Sequence, residues 1–198
     1  MINNLLRRIS NCRGINLIRQ TINILWIKTR YMLGIGSKVP LKLHLGCGNC
    51  HLEGYINIDI RKTEATDIVC DIVKLPYPNN SIEVIESYHV IEHLPRHILV
   101  RALKEWWRVL VPGGKLIIEC PNFDEVVKEY LEGNEKRLDS IFGLQRFPGD
   151  YHFFGYNFQR LKIILTQAGF TNICQTQAQD YHTKNEPCLR VECIKGGE

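Results

Sequence analysis

The sequence predicts an α/β domain built on a doubly wound, mostly parallel sheet. Short apolar runs of strand length alternate with helical or turn-like connections, which is the order that such sheets require. Glycines or polar residues directly follow several of these runs, at the strand ends where ligands of such sheets bind. With 198 residues, 44% of them apolar and 23% charged, the chain has the composition of a globular protein with one core.

The first two predicted strands end in residues suited to a nucleotide-type ligand. Residues 41–45 alternate between apolar and polar side chains and are followed by Gly46 and Gly48. Gly46 permits a tight turn, and Gly48 lets the backbone approach a ligand with no Cβ in the way. The second run, residues 55–58, ends in Asp59, whose carboxylate can accept hydrogen bonds from both hydroxyls of a ribose.

The glycine loop lacks the third glycine of a dinucleotide fingerprint. His51 stands at that position, and Asp59 follows Gly46 by only 13 residues, whereas the fingerprint places its acid about 20 residues on. The connection between the two strands therefore has room for hardly one helical turn. This favours a ligand that has an adenosine and no phosphate, and S-adenosylmethionine is the obvious candidate.

The rest of the pattern extends the sheet. A short apolar strand spans residues 67–71, and a cleanly alternating run predicts a fourth strand over residues 82–87. Apolar spacing predicts a helix over residues 92–110, which the Pro-Gly-Gly sequence at 112–114 stops. Further strands are predicted over residues 115–120, 171–176 and 189–194, and further helices over residues 124–131 and 158–168.

Residues 1–38 are predicted to form a basic amphipathic helical arm, ahead of a domain over residues 39–198. Residues 1–52 carry eight Lys or Arg and no acid, and the remaining residues carry 17 Lys or Arg against 21 Asp or Glu. Apolar residues in the arm follow helical spacing. Arginines interrupt each apolar run, so neither a secretory signal nor a transmembrane span is predicted.

Three roles for the arm are open. It packs on the domain and covers the ligand site, it lies on an anionic membrane surface through residues 1–33, or it binds nucleic acid. Nucleic acid is the least favoured, because the arm lacks the aromatic and basic interleaving of an RNA platform.

The cysteines predict a cytoplasmic protein. If the arm lies on a membrane, this protein would also be associated with the membrane surface. Eight cysteines are scattered along the chain, several of them inside apolar runs, as is typical of reduced, buried thiols. Cys47 and Cys50 form a CxxC pair, but no second pair at metal-ligand spacing accompanies it. The sequence therefore predicts no metal site there.

In their order and spacing, these pieces resemble the class I S-adenosylmethionine-dependent methyltransferases, particularly the subgroup often called methyltransferase type 11. The resemblance covers residues 41 to about 121, and AGF at 168–170 extends it weakly. It implies a Rossmann-like sheet, S-adenosyl-L-methionine as cofactor and methyl transfer as the reaction. The matching segments are LHLGCGN at 43–49, NID at 57–59, DIVCD at 67–71, LPYPNNSIEVIESYHVIEHL at 75–94 and WRVLVPGGKLII at 107–118.

The resemblance also implies which residues contact the cofactor. Residues 46–48 would wrap the methionine part and the ribose, Asp59 would bind the ribose hydroxyls, and Asp71 would hold the adenine edge. His44 departs from the family, because many members carry an acid there, near the ammonium group of the cofactor. The full predicted set is His44, Gly46, Cys47, Gly48, Asp59, Ile60, Asp71, Ile72 and Ser87.

Methyl transfer is an in-line displacement, so the enzyme chiefly aligns nucleophile, methyl group and sulfur. A hydroxyl nucleophile needs a base, and histidine suits that role near neutral pH. The predicted catalytic residues are His89 and His152 as candidate bases and Tyr88 as a residue that positions the acceptor. The alternative is that His89 only lines the pocket and that His152 anchors a loop.

The main functional hypothesis is O- or N-methylation of a small-molecule, sugar or lipid-linked acceptor. One alternative is a protein that binds S-adenosylmethionine without catalysis. A third hypothesis, a metal hydrolase, comes from the HxxEH pattern of His89, Glu92 and His93, which needs both histidines on one helix. It is disfavoured because His89 is assigned to a strand end. The acceptor and the oligomeric state stay open.

Overall fold

The computed structural model describes residues 41–197. Residues 41–75 and 79–197 belong to one compact unit. The predicted arm over residues 1–38, its amphipathic helices and the membrane contact assigned to residues 1–33 lie outside the described residues. No helix between residues 41 and 197 has the length and apolar character of a membrane span.

Within the described residues, seven strands form one sheet. Their order is β3-β2-β1-β4-β5-β7-β6. Pairing is parallel from β3 to β5, and β7 is antiparallel to both β5 and β6. The predicted doubly wound, mostly parallel sheet is confirmed. The strands are β1 (Leu41–Leu45), β2 (Ile56–Asp59), β3 (Ile68–Val69), β4 (Ile82–Tyr88), β5 (Leu110–Pro121), β6 (Phe170–Thr176) and β7 (Cys188–Lys195).

Four α-helices and two 3-10 turns connect the strands in the described part of the chain. They are α1 (Arg96–Val109), α2 (Phe123–Leu131), α3 (Arg137–Phe142), α4 (Phe158–Gln167) and the turns Ile91–His93 and Tyr181–Lys184. The helix predicted to begin at Glu92 begins at Arg96 instead. Pro95 causes this difference, because the residue before a proline is disfavoured in the α conformation, and Leu94 is extended with ψ 129°.

Helix α1 packs one apolar face against the sheet and reaches the end of β3. Leu99, Leu103 and Trp106 are buried at helical spacing on that face. The indole Nε1 of Trp106 donates a 3.0 Å hydrogen bond to the carbonyl oxygen of Ile72. Because Ile72 follows Asp71, the core helix fixes the turn that carries the predicted adenine site.

No helix joins β1 to β2, as the short spacing predicts, and one side chain orders this connection instead. Asn57 is fully buried, and its Nδ2 donates to the carbonyls of Leu52 and Tyr55 at 3.2 Å each. Its Oδ1 accepts from the amide of Leu52 at 2.9 Å. These bonds satisfy backbone groups that a helix would otherwise pair. They hold the glycine loop against the edge of the sheet.

Candidate functional site

The glycine loop requires both of its glycines, for different reasons. Gly46 has a φ of 72°, and a Cβ there would lie 2.2 Å from Cγ2 of Val90, so packing excludes any larger residue. Gly48 has a φ of 53°, but the nearest atom to an added Cβ is Nη2 of Arg61 at 3.9 Å. The backbone of Gly48 therefore presents an open face to a ligand.

Asp59 is bound to this loop. Its side chain is buried, with Oδ2 accepting from the amide of Gly48 at 2.8 Å and Oδ1 accepting from the amide of Arg61 at 2.7 Å. Each carboxylate oxygen accepts about two hydrogen bonds, so each has capacity for a further donor such as a ribose hydroxyl. The loop and the acid, 11 residues apart in sequence, form one binding element.

His44 lies beneath the loop as a neutral imidazole. Its Nδ1 lies 2.9 Å from Oδ1 of Asn57, an acceptor, so Nδ1 carries the proton and Nε2 is an acceptor. Burial lowers the pKa of His44, so the ring is uncharged at neutral pH. An acceptor is what an ammonium group requires, and the cofactor role of His44 stays a prediction. The ring of the half-buried Tyr88 lies 5.4 Å from that of His44.

Ser87 and Cys47 have their side chains turned into the protein. Ser87 is fully buried, and its hydroxyl donates to the carbonyl of Leu45 at 3.2 Å. The hydroxyl of Ser87 thus joins β4 to β1, and the predicted cofactor role of Ser87 stays a prediction. Cys47 is 3% exposed, and burial raises the pKa of its thiol, so the sulfur is a neutral packing group.

The predicted cofactor residue Ile60 and the predicted adenine residues Asp71 and Ile72 lie after the ends of β2 and β3. Ile60, next to Asp59, has an apolar side chain that is 71% exposed. Asp71 is exposed in the turn after β3, where its Oδ1 accepts from the amide of Val73 at 3.0 Å. Ile72 is buried behind it. An apolar side chain and a carboxylate at one edge suit an adenine, and these roles stay predictions.

His89 ends β4 in the left-handed conformation, with a φ of 51°. A non-glycine residue in this region is uncommon and marks a constrained position. Its Nδ1 lies 3.2 Å from Oε1 of Glu92 and 3.7 Å from Oε1 of Glu186. Its Nε2 lies 3.6 Å from Sγ of Cys188, and its ring stacks on that of His182 with centroids 3.8 Å apart.

These neighbours make His89 a poor base. Burial by itself lowers the pKa of His89, but the interactions with Cys188 and Glu92 outweigh it and raise the pKa to about 10. A histidine with that pKa is protonated at neutral pH and has no lone pair to accept a proton. This raised pKa disfavours His89 as a base, and its catalytic role stays a prediction.

His152 has the opposite character. Its Nδ1 donates a 2.9 Å hydrogen bond to the carbonyl of Ser140, and burial lowers its pKa. The imidazole is therefore neutral, and the lone pair of Nε2 is available to a proton or a cation. Its ring meets that of His93 edge-on, with centroids 4.7 Å apart.

The HxxEH pattern does not form the helix that the hydrolase hypothesis needs. His89 is in the left-handed conformation, and His93 ends a 3-10 turn, so the two histidines do not lie on one helical face. Their ring nitrogens join different groups of possible metal ligands: His89 lies with Asp180 and His182, and His93 lies with Glu92 and His152. The metal-hydrolase hypothesis is wrong in its geometry.

Further residues reach this edge of the sheet from the second half of the chain, and the sequence patterns did not predict them. Asp180 and His182 come from the connection between β6 and β7, which opens at the carboxyl end of β5 because β7 runs antiparallel. Phe147 comes from the segment after α3, and the guanidinium of Arg61 lies over its ring at 4.4 Å. The available signal was the polar Asp-Tyr-His run at 180–182 between two strands.

Comparisons with known proteins agree with this geometry. Residues 43–118 match the family described as a methyltransferase domain. The chain is 37% identical over 83 residues to the probable tRNA methyltransferase 9B of Homo sapiens. The matched region covers 41% of this chain and 18% of that protein. The Bos taurus protein of the same name is 37% identical over 84 residues. The chain thus spans under one fifth of the length of these curated relatives.

Solved structures share the fold at low sequence identity. A SAM-dependent methyltransferase from Methanosarcina mazei has a TM-score of 0.57 and 18% identity, covering 85% of this chain and 98% of that one. The 1,6-didemethyltoxoflavin-N1-methyltransferase of Burkholderia thailandensis, with 1,6-didemethyltoxoflavin and S-adenosylhomocysteine bound, has a TM-score of 0.55 and 12% identity. That likeness covers 90% of this chain and 78% of the other.

Proposed function

We propose that the protein transfers a methyl group from S-adenosyl-L-methionine to an acceptor, because residues 43–118 match a methyltransferase-domain family and the sheet shares the fold of solved methyltransferases. The observation that carries the proposal is the bond between the amide of Gly48 and the carboxylate of Asp59. This bond joins a glycine loop that lacks the features of a phosphate site to a carboxylate. That carboxylate can accept further hydrogen bonds from the two hydroxyls of a ribose.

The residues of this chain bind and orient the cofactor in the proposed reaction. Asp59 holds the ribose hydroxyls, and the open face of Gly48 lies against the sugar. Ile60 covers the adenine. The bound cofactor supplies an electrophilic methyl on a sulfonium, so the chain contributes mainly alignment of the acceptor with that methyl. Tyr88, half-buried at the end of β4, positions the acceptor.

We propose that the acceptor is a small molecule, a sugar or a lipid-linked compound, methylated at oxygen or nitrogen. Residues 53–198, which include most of the candidate site, carry 17 Lys or Arg against 21 Asp or Glu, and this net charge of −4 disfavours a polyanionic acceptor there, whereas the positive charge of the chain lies in residues 1–52. The relatives named as tRNA methyltransferases are matched over 18% of their length. A match over so small a share of their length does not indicate that this chain has the same substrate.

A transfer assay with methyl-labelled S-adenosylmethionine tests the proposal against panels of small-molecule, glycan, lipid and tRNA acceptors. Label in one of the first three classes, lost in Asp59→Asn and kept in Glu83→Gln, is the expected result. Glu83 is an exposed acid near the opposite end of β4 and serves as the matched control. Label in tRNA alone would contradict the acceptor proposal, and cofactor binding without any transfer would favour the non-catalytic alternative.

A further inference from the structure

The turn after β4 holds a buried carboxylate that lacks hydrogen bonds. Glu92 is 2% exposed, and within residues 41–197 neither of its side-chain oxygens has a hydrogen-bond partner. Nδ1 of His89 lies at ion-pair distance, 3.2 Å from Oε1, without the alignment of a hydrogen bond. Burying a carboxylate with unused lone pairs costs on the order of several kcal/mol. Besides the ion pair with His89, the carboxylate therefore has unused acceptor capacity for a bound partner.

Two imidazoles converge on this carboxylate. Nδ1 of His93 lies 3.1 Å from the carbonyl of Tyr151, and Nδ1 of His152 lies 2.9 Å from the carbonyl of Ser140. Each Nδ1 therefore donates its proton to the backbone, and each Nε2 keeps a lone pair. Metal-bound histidines are usually oriented in this way. Ligand atoms of Glu92, His93 and His152 all lie within 4.8 Å of one another.

We propose that Glu92, His93 and His152 bind a divalent transition-metal ion. Two imidazole nitrogens and one carboxylate suit Mn²⁺, Fe²⁺, Co²⁺ or Zn²⁺, whereas Mg²⁺ and Ca²⁺ prefer oxygen ligands. Such ligands lie about 2.1 Å from a bound ion. The ion would give the buried carboxylate a second partner besides His89.

The surroundings leave room for further ligands of the ion. Glu92 and His152 line a small pocket together with Tyr156, whose hydroxyl is also buried without a hydrogen-bond partner among the described residues. Three protein ligands leave coordination positions for water or for an oxygen of the acceptor. His93 is partly exposed, which gives the ion a route from solvent.

A metal ion at Glu92, His93 and His152 would exclude the predicted role of His152 as a base. Its Nε2 cannot hold a cation and accept a proton at once, so metal binding replaces the predicted role of His152 as a base. A second cluster of His89, Asp180 and His182 is less suited to a cation. Nδ1 of His182 is already paired with Asp180, and Nδ1 of His89 faces Glu92. Metal binding at Glu92 does not depend on the proposed methyl transfer.

Titration of the full-length protein with Mn²⁺, followed by electron paramagnetic resonance, tests the site without an activity measurement. Mn²⁺ is chosen because it prefers nitrogen and oxygen ligands over the thiolates of the free cysteines. We expect one ion per chain, and an affinity that falls at least about tenfold in Glu92→Gln, His93→Gln and His152→Gln. His97→Gln, which changes an exposed histidine of α1, and His182→Gln, in the second cluster, should bind as the wild type does.

Thermal unfolding provides the second measurement and the folding control. Without metal, Glu92→Gln should melt below the wild-type temperature, because it leaves the buried charge of His89 without its nearest ion-pair partner. Added Mn²⁺ should raise the melting temperature of the wild type and leave that of Glu92→Gln unchanged. Absence of binding by the wild type, equal binding by Glu92→Gln, or a loss confined to His182→Gln would each overturn the proposal. If Glu92→Gln does not fold, His93→Gln decides by the same criterion.

Discussion

The amide of Gly48 donates a 2.8 Å hydrogen bond to Oδ2 of Asp59. The bond runs between the loop after β1 and the acid that ends β2, so the two parts of the predicted cofactor site are held in one geometry before a ligand binds. Preorganisation of this kind lowers the entropic cost of binding.

Gly46 is expected to tolerate no side chain. In Gly46→Ala the new Cβ would lie 2.2 Å from Cγ2 of Val90 at a φ of 72°, so we expect a loss of about 2–4 kcal/mol in the free energy of unfolding. Urea unfolding measures it. Gly54→Ala is the matched control, because Gly54 has a φ of 80° with nothing within 4 Å of an added Cβ. It should lose only about 1 kcal/mol.

A second variant separates the clash from the backbone strain. Val90→Ala in the Gly46→Ala background removes the methyl groups that the new Cβ meets. The double variant should recover part of the lost stability. Equal losses in Gly46→Ala and Gly54→Ala would show that the approach of Val90 does not determine the need for glycine at position 46.

Asn57 is expected to be required for both stability and cofactor affinity. Asn57→Ala removes the bonds to Leu52 and Tyr55 and so takes hydrogen-bond partners from partly buried backbone groups, which should cost about 2–4 kcal/mol. The freed loop should also bind S-adenosylhomocysteine more weakly. Chemical unfolding and calorimetry measure the two effects. Asn185→Ala, at an exposed position, should change both by little, and a similarly small effect of Asn57→Ala would argue against the tethering role.

His44 is expected to make the fold sensitive to mild acid. Its pKa is lowered from the ordinary value of 6.5 by burial, so above about pH 6.5 both the folded and the unfolded states hold it neutral. As the pH falls below 6.5, the unfolded state takes up the proton first, and stability is lost until the pH reaches the folded pKa. His44→Gln, which cannot titrate, should lose less stability between pH 6.5 and pH 5 in unfolding experiments. Parallel pH profiles of the two proteins would exclude this role.

Much of the fold was predictable because local sequence patterns identify most of its strands and helices. The alternation in β1 and β4 and the Pro-Gly-Gly sequence after α1 identify those elements, and their sequence order predicts a mostly parallel sheet. The start of α1 was wrong by four residues because the effect of Pro95 was not considered. The antiparallel insertion of β7 beside β5 depends on long-range pairing, which no local pattern records.

The site was predictable only where its residues lie close in sequence. Gly46, Gly48 and Asp59 follow two consecutive strands, and the structure brings them together. The charge of His89 was not predictable, because it comes from Cys188, 99 residues away, as well as from Glu92. The meeting of Glu92 with His152 likewise depends on how the segment after α3 folds back onto the turn after β4.

The most direct test of the central claim is a calorimetric titration with S-adenosylhomocysteine, with NAD as the comparison ligand. We expect the wild type to bind S-adenosylhomocysteine and not NAD. Asp59→Asn should weaken that affinity by at least about tenfold, because it replaces one acceptor oxygen at the ribose with a donor. Glu83→Gln should bind as the wild type does. Binding of NAD alone, or equal affinity of the wild type and Asp59→Asn for S-adenosylhomocysteine, would contradict the account.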